Sequence, residues 1–338
     1  MAGEVGLELT NDGLREWAPI HLRWRGSAPA VEWCHAGGAR FTEPFFNQTI
    51  EELLRHPFNL LFRRLTSTDV LEELGAEQGG APPSGFVFHM SRCGSTLVSQ
   101  MLASLPQNLV LSEPTPLDCA LRVGAREALV TDERRGVWLR GLVAALRRAA
   151  GGEGKHCFVK FDSWSILRLP VIRRAFPCVP WVFVYREPVE VLVSQLGRRG
   201  AHMVPGVIEP EAFGLDDSEV GRMPPEEYCA RVLASVCRAA LRYHREGESL
   251  LVNYDELPGA VCPGLTEFFG CAYAPGDLER MRRAAARDAK NPTRDFVADG
   301  AAKNSAASDA VRRAADRFVR PVYEELESAR ASQAAAVR

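Results

Sequence analysis

From residue 85 onward, short apolar runs rich in β-formers alternate with stretches whose apolar positions recur at helical spacing. Phe86-Val87-Phe88 is one such run. It passes through small and polar residues into Val98, Met101, Leu102 and Leu105, a stripe that lies on one helix face. Strand, tight loop and helix are predicted. The same alternation continues with strands at Leu109–Leu111, Cys157–Phe161, Trp181–Tyr185 and Leu250–Tyr254. Helices are expected near 133–150, 164–175, from Pro188, and near 226–246, 263–270, 275–289 and 308–329. Pro188 suits the first helical position. Trp181–Tyr185 has no polar face, as a central parallel strand requires. Together these predict a three-layer α/β fold, a parallel sheet flanked by helices, with ligands at the carboxyl ends of its strands.

The first 84 residues follow a different pattern. Val31–His35 is compatible with a strand, Gly37-Gly38 with a turn, and Thr49–Leu54 begins like a capped helix. Phe41, Phe45 and Phe46 offer apolar docking positions, and Gly79–Ser84 is linker-like. The expected organisation is an N-terminal accessory segment, 1–84, and an α/β domain, 85–330. Trp33 and His35 read as core or surface residues rather than as substrate contacts.

Composition narrows the function classes. The 338 residues are 46% hydrophobic and 25% charged, ordinary for a globular protein with a sizeable core. A formal net charge of −2 offers no broad basic surface for nucleic acid. No apolar run approaches the ~20 residues of a membrane span, and no signal-peptide pattern opens the chain. The nine cysteines are scattered without metal-ligand spacing. A cytoplasmic protein with free thiols, no metal site and no membrane or nucleic-acid partner is expected.

The candidate chemistry centres on Ser91-Arg92-Cys93-Gly94-Ser95-Thr96. A tight loop between strand and helix aims several backbone N–H groups at one spot, at the positive end of the helix dipole. Arg92 adds a fixed charge, and Ser95 and Thr96 add hydroxyl donors. This is a cradle for a phosphate-like dianion. It does not fit Gly-x-x-x-x-Gly-Lys-Ser/Thr, because the basic residue precedes the glycine. A second stretch, Arg186-Glu187-Pro188 through Ser194, puts an arginine at a strand end and a serine about two turns into the next helix. The pair can converge on one anion.

The order basic, small, Gly, Ser, Thr resembles the 5′-phosphosulfate loop of sulfotransferases, with Cys93 replacing the usual serine. Arg186 through Ser194 resembles the same family's 3′-phosphate motif, with the same eight-residue step. The resemblance covers about residues 85–325 and implies a P-loop-type nucleotide-binding fold. It implies 3′-phosphoadenosine-5′-phosphosulfate (PAPS) as sulfuryl donor, bound by Ser91–Thr96, Arg186 and Ser194, and a small or medium-sized acceptor. Glu113 stands where tyrosylprotein and some carbohydrate sulfotransferases have their proposed catalytic glutamate. Lys160 stands where the family has a lysine near the transferring group, which with Arg92 makes a metal unnecessary. Leu251–Leu257 is similar to the late strand and its Tyr-Glu-Asp-Leu sequel.

One position departs from the cytosolic enzymes. Their Lys-Thr-His histidine is replaced by Asp162, so the implied base is Glu113, with Asp162 second. The polar stretch from Lys290 to Ser305 lies where the family closes a basic loop over the nucleotide, and 198–228 lies where it has an acceptor-facing gate. Two other readings stay open at this point: a P-loop kinase or nucleotide hydrolase, and a non-catalytic nucleotide-binding protein.

Overall fold

The computed structural model describes residues 11–25, 28–76, 81–122, 130–152, 154–247 and 249–336. Its strands are β1 (Trp17–Arg25), β2 (Ala28–His35), β3 (Arg64–Ser67), β4 (Gly85–His89), β5 (Asn108–Ser112), β6 (His156–Lys160), β7 (Trp181–Tyr185), β8 (Ser249–Asn253), β9 (Arg287–Asp288) and β10 (Asn291–Asp295). Five of them form a parallel sheet in the order β5-β6-β4-β7-β8, flanked by helices. Non-consecutive neighbours in that order require helical crossovers. This is the predicted α/β class.

The chain divides into two compact units. One comprises Met1–Pro83, Pro106–Val159 and Pro170–Val179, and the other Ser84–Leu105, Lys160–Leu169 and Pro180–Arg338. In the first, β1, β2 and β3 make an antiparallel sheet. The helices Asp69–Ala76 and Asp132–Ala149 pack so closely that a Cβ on Gly141 would lie 2.1 Å from the carbonyl oxygen of Leu71. Thr131 caps the longer helix, accepting from the Arg134 N–H at 3.2 Å. Phe41 and Phe46 stack at 5.3 Å within this core.

In the second unit, β7 is buried along its whole length, as its unbroken apolar sequence requires. Phe161 stacks on Phe88 at 5.1 Å and meets Phe86 edge-on, and Trp181 closes the cluster against Phe88. Burying such rings supplies most of a core's stabilisation. Pro188 and Pro225 each open a helix, Pro188–Gly197 and Pro225–His244.

Five local predictions are revised. The helix expected from Thr49 begins at Phe46, because Gln48 reaches back to accept from the Phe45 N–H at 3.1 Å. The helix expected over 164–175 is a 3₁₀ segment, Ser163–Arg168, followed by an α-helix, Leu169–Ala175. Pro170, which has no N–H to give, marks that change. The helix expected over 275–289 ends at Ala284, and Arg287–Asp288 pairs with Asn291–Asp295, in the stretch read as a polar loop, to make a small hairpin, β9 and β10, followed by a helix, Gly300–Ala306. The last helix is interrupted by a π-turn at Ala315–Val319 and runs on to Ala336. None of the nine cysteines is in a disulfide, and Cys178 alone is exposed.

Candidate active site

β4 delivers the chain into the loop, and the Met90 N–H still bonds to the Val184 carbonyl of β7 at 2.9 Å. The backbone then turns left-handed at Ser91 (φ 75°), Arg92 (53°) and Gly94 (88°). Gly94 is the N-cap of the helix Ser95–Ala103 and has no side chain to satisfy its first-turn N–H groups. A Cβ there would sit 2.8 Å from Leu257 Cδ1 and 2.9 Å from Tyr254 Cδ2, so shape and backbone both demand glycine. The Cys93 thiol donates to the Val184 carbonyl at 3.0 Å. Burial pushes that thiol up to about 11, and the nearby charges of Lys160 and Arg186 only partly offset this, so Cys93 stays protonated at neutral pH. It is a packing residue of the loop.

The two predicted anion-binding stretches meet. Arg92 Nε donates to Ser194 Oγ at 2.8 Å, across 102 residues of chain. Burial, reinforced by the charge of Arg198, lowers the Arg92 pKa. Arg186 is 4% exposed. Its Nε donates to Glu190 at 2.6 Å and its Nη2 to Asp299 at 3.0 Å, and the guanidinium lies 3.8 Å over the Tyr254 ring. Burial opposes its charge, but Asp299, Tyr254 and Glu190 outweigh that and raise its pKa. Lys303 bonds Asp299 at 2.6 Å, and Asn304 donates to Glu190 at 2.8 Å. The polar stretch from Lys290 to Ser305 therefore contributes three side chains, Asp299, Lys303 and Asn304, around Arg186.

Lys160 ends β6 and is 1% exposed, within electrostatic reach of Cys93 in the loop. Three further positions absent from the predicted set, Gln195, Ser163 and His202, belong to this unit. Gln195 is fully buried, donates to Ser91 Oγ at 2.8 Å and accepts from the Gly200 N–H at 3.0 Å. It braces the strained Ser91 from the next helix. Its signal was faint: a glutamine one residue after Ser194 reads as an ordinary helix position. Ser163 and His202 pair at 3.2 Å, both buried, with Trp164 against the imidazole.

Glu113 belongs to the first unit, just past the end of β5, with a φ of 55°. Ser91, Arg92 and Glu113 are the three non-glycine residues with left-handed backbone among those described. Such backbone costs on the order of 1–3 kcal/mol per residue and gathers at functional sites. The cationic and hydroxyl groups of the second unit, Arg92, Arg186, Lys160, Ser95, Thr96 and Ser194, suit a polyanionic nucleotide in the chemistry of their donors.

The chain is similar in structure to bacterial sulfotransferases. One, from Mycobacterium avium, is 14% identical over 71% of this chain and 78% of that one, with a TM-score of 0.43. The sulfotransferase domain of the Synechococcus PCC 7002 olefin synthase is 16% identical over 75% and 96%, TM-score 0.42. The sulfotransferase domain from the curacin biosynthetic pathway is 15% identical over 71% and 98%, TM-score 0.42. No family model matches the sequence, and no curated protein matches it.

Proposed function

We propose that this protein transfers a sulfuryl group from PAPS to a hydroxyl or amine of a small or medium-sized acceptor. The observation that carries this reading is where the backbone is strained. The three left-handed non-glycine residues are Ser91, Arg92 and Glu113, two from the proposed donor loop and one the proposed base. Strain at a packing position brings no benefit, whereas at a binding loop it aims N–H groups and side chains.

Ser91–Thr96 would hold the phosphosulfate end, with backbone N–H groups of the uncapped helix start and the Arg92 charge. Arg186 and Ser194 would hold the 3′-phosphate. When bound, PAPS supplies the sulfuryl group. The chain's own work is then positioning and charge neutralisation, as in phosphoryl transfer. Arg92 and Lys160 balance charge on the sulfuryl and bridging oxygens, and Glu113 accepts the acceptor's proton. These fixed cations carry the load that Mg²⁺ carries in kinases.

Incubation with radiolabelled PAPS and a panel of hydroxyl and amine acceptors tests this. Label transfer to an acceptor is expected, and it should survive EDTA. Mg²⁺-dependent release of phosphate from ATP with no transfer from PAPS would favour the kinase reading instead.

A further inference from the structure

Two long helices of the second unit enclose a groove of about 470 Å³ that the proposed chemistry does not use. One wall is the helix Pro225–His244, which contributes Arg238, Leu241, Arg242 and, just past its end, Arg245. These positions recur at three- and four-residue spacing and share one face. The other wall is the π-turn Ala315–Val319 and the helix after it, which contribute Arg317, Phe318, Val322 and Glu325. Leu241 and Val322, each 4% exposed, make an apolar floor, with the Phe318 ring beside it.

The charge of this groove is not balanced from within the protein. Glu325 holds Arg245 at 2.9 Å. Among the described residues, no ion pair ties Arg238, Arg242 or Arg317 to a carboxylate. Arg242 lies 4.4 Å over the Tyr243 ring and bonds its hydroxyl, and Arg317 lies 4.9 Å over Phe318. Neither partner cancels a charge. The carboxylates nearby are spent or lie outside the lining. Asp316 pairs with Arg320 at 3.4 Å, and Glu227 neutralises Arg231, the next arginine along the face, at 2.6 Å. Glu246 and Glu324, on the same elements, are not among the lining residues.

Packing alone does not explain this arrangement. A helix C-terminus favours cations, which accounts for Arg242 and Arg245. It does not account for Arg238, about one and a half turns before the helix end, or for Arg317 on the facing wall. Like charges at i and i+4, as Arg238 and Arg242 are, destabilise a helix. Helices paired for stability would set unlike charges across the seam, and of the lining residues only Arg245 and Glu325 do so.

We propose that this groove binds a small molecule carrying two or more phosphate- or sulfate-type groups on an apolar or aromatic body. Guanidinium forks match such anions bidentately, and the floor and the Phe318 ring take the body. The volume lies within the ~300–1,000 Å³ of small-molecule sites. Nucleic acid fits less well, because the arginines surround one cavity rather than run along a stripe, and the chain's net charge is −2. None of the residues assigned to sulfuryl transfer lines the groove, so its occupancy does not depend on that reading.

Calorimetric titration of the full chain with naphthalene disulfonate, methane disulfonate and uncharged naphthalene dimethanol tests it. The naphthalene disulfonate should bind, and more weakly as salt rises. Methane disulfonate, which keeps the anions and lacks the rings, should bind less tightly, and the uncharged compound hardly at all. Arg238→Gln with Arg317→Gln should weaken the naphthalene disulfonate at least ~tenfold, and Arg186→Ala should leave it unchanged. Both groove arginines are exposed, so an unchanged melting temperature will show the fold intact. Absence of binding, equal binding of either control compound, or full binding by the double variant would overturn the proposal. So would an equal or greater loss in Arg186→Ala, which would put the probe in the nucleotide site.

Discussion

Glu113→Gln is expected to lower kcat by ~10²–10⁴-fold while leaving PAPS binding nearly intact, the loss typical when a general base is removed. Glutamine keeps the length and shape of the side chain and removes its basicity. The left-handed φ of 55° is a property of the backbone and is retained. Asp162→Asn should cost much less. Asp162 is the residue that leads into the 3₁₀ segment Ser163–Arg168, and its side chain is shorter. The two variants should be measured side by side with one acceptor, following turnover and nucleotide affinity separately. A dead Asp162→Asn beside an active Glu113→Gln would reassign the base. Full turnover in both would mean that the proton leaves by another route.

Arg186→Ala should weaken adenosine 3′,5′-bisphosphate by about 1.5–3 kcal/mol, the range for charge-assisted hydrogen bonds. Adenosine 5′-phosphate, which lacks the 3′-phosphate, should hardly change. The variant should also melt lower, because Glu190, only 15% exposed, loses its cation. The monophosphate control separates the two effects: equal losses for both ligands would assign Arg186 to the fold. Asp299→Asn should act in the opposite direction. Asp299 is 52% exposed and shares Arg186 with Glu190, so it is the carboxylate an entering 3′-phosphate displaces more easily. A half-exposed ion pair is worth up to ~1 kcal/mol, so its removal should tighten the bisphosphate by up to about fivefold. Weaker binding would show that Asp299 supports the site rather than competing for it.

How much was legible in the sequence depended on how local the cause was. The β4 turn and the β7–Arg186–Pro188 turn could be read because strand, loop and helix follow one another within twenty residues, and each has its own signal: β-formers, then small residues or proline, then helical spacing. Gln195 was hidden because its role depends on a partner 104 residues away. Asp299 and Lys303 were hidden for the same reason, since their segment has no strong periodicity and takes its order from Arg186. The first unit draws on three separate stretches of chain, which no local pattern reports. The exposure of Leu60 and Leu61 ran against the pattern itself: apolar spacing points inward unless something holds the turn the other way, and here the buried Asn59, bonded to His35 and Leu53, does so.

The central claim is that the paired cationic sites recognise a nucleotide carrying both a 5′- and a 3′-anion. Thermal unfolding with adenosine 3′,5′-bisphosphate, adenosine 5′-phosphate and Mg²⁺–ATP tests it most directly. At about a hundred times its dissociation constant a ligand stabilises by ~2.7 kcal/mol. The bisphosphate should raise the melting temperature accordingly, and the other two should do much less at the same concentration. Stabilisation by Mg²⁺–ATP, with none by the bisphosphate, would contradict the account.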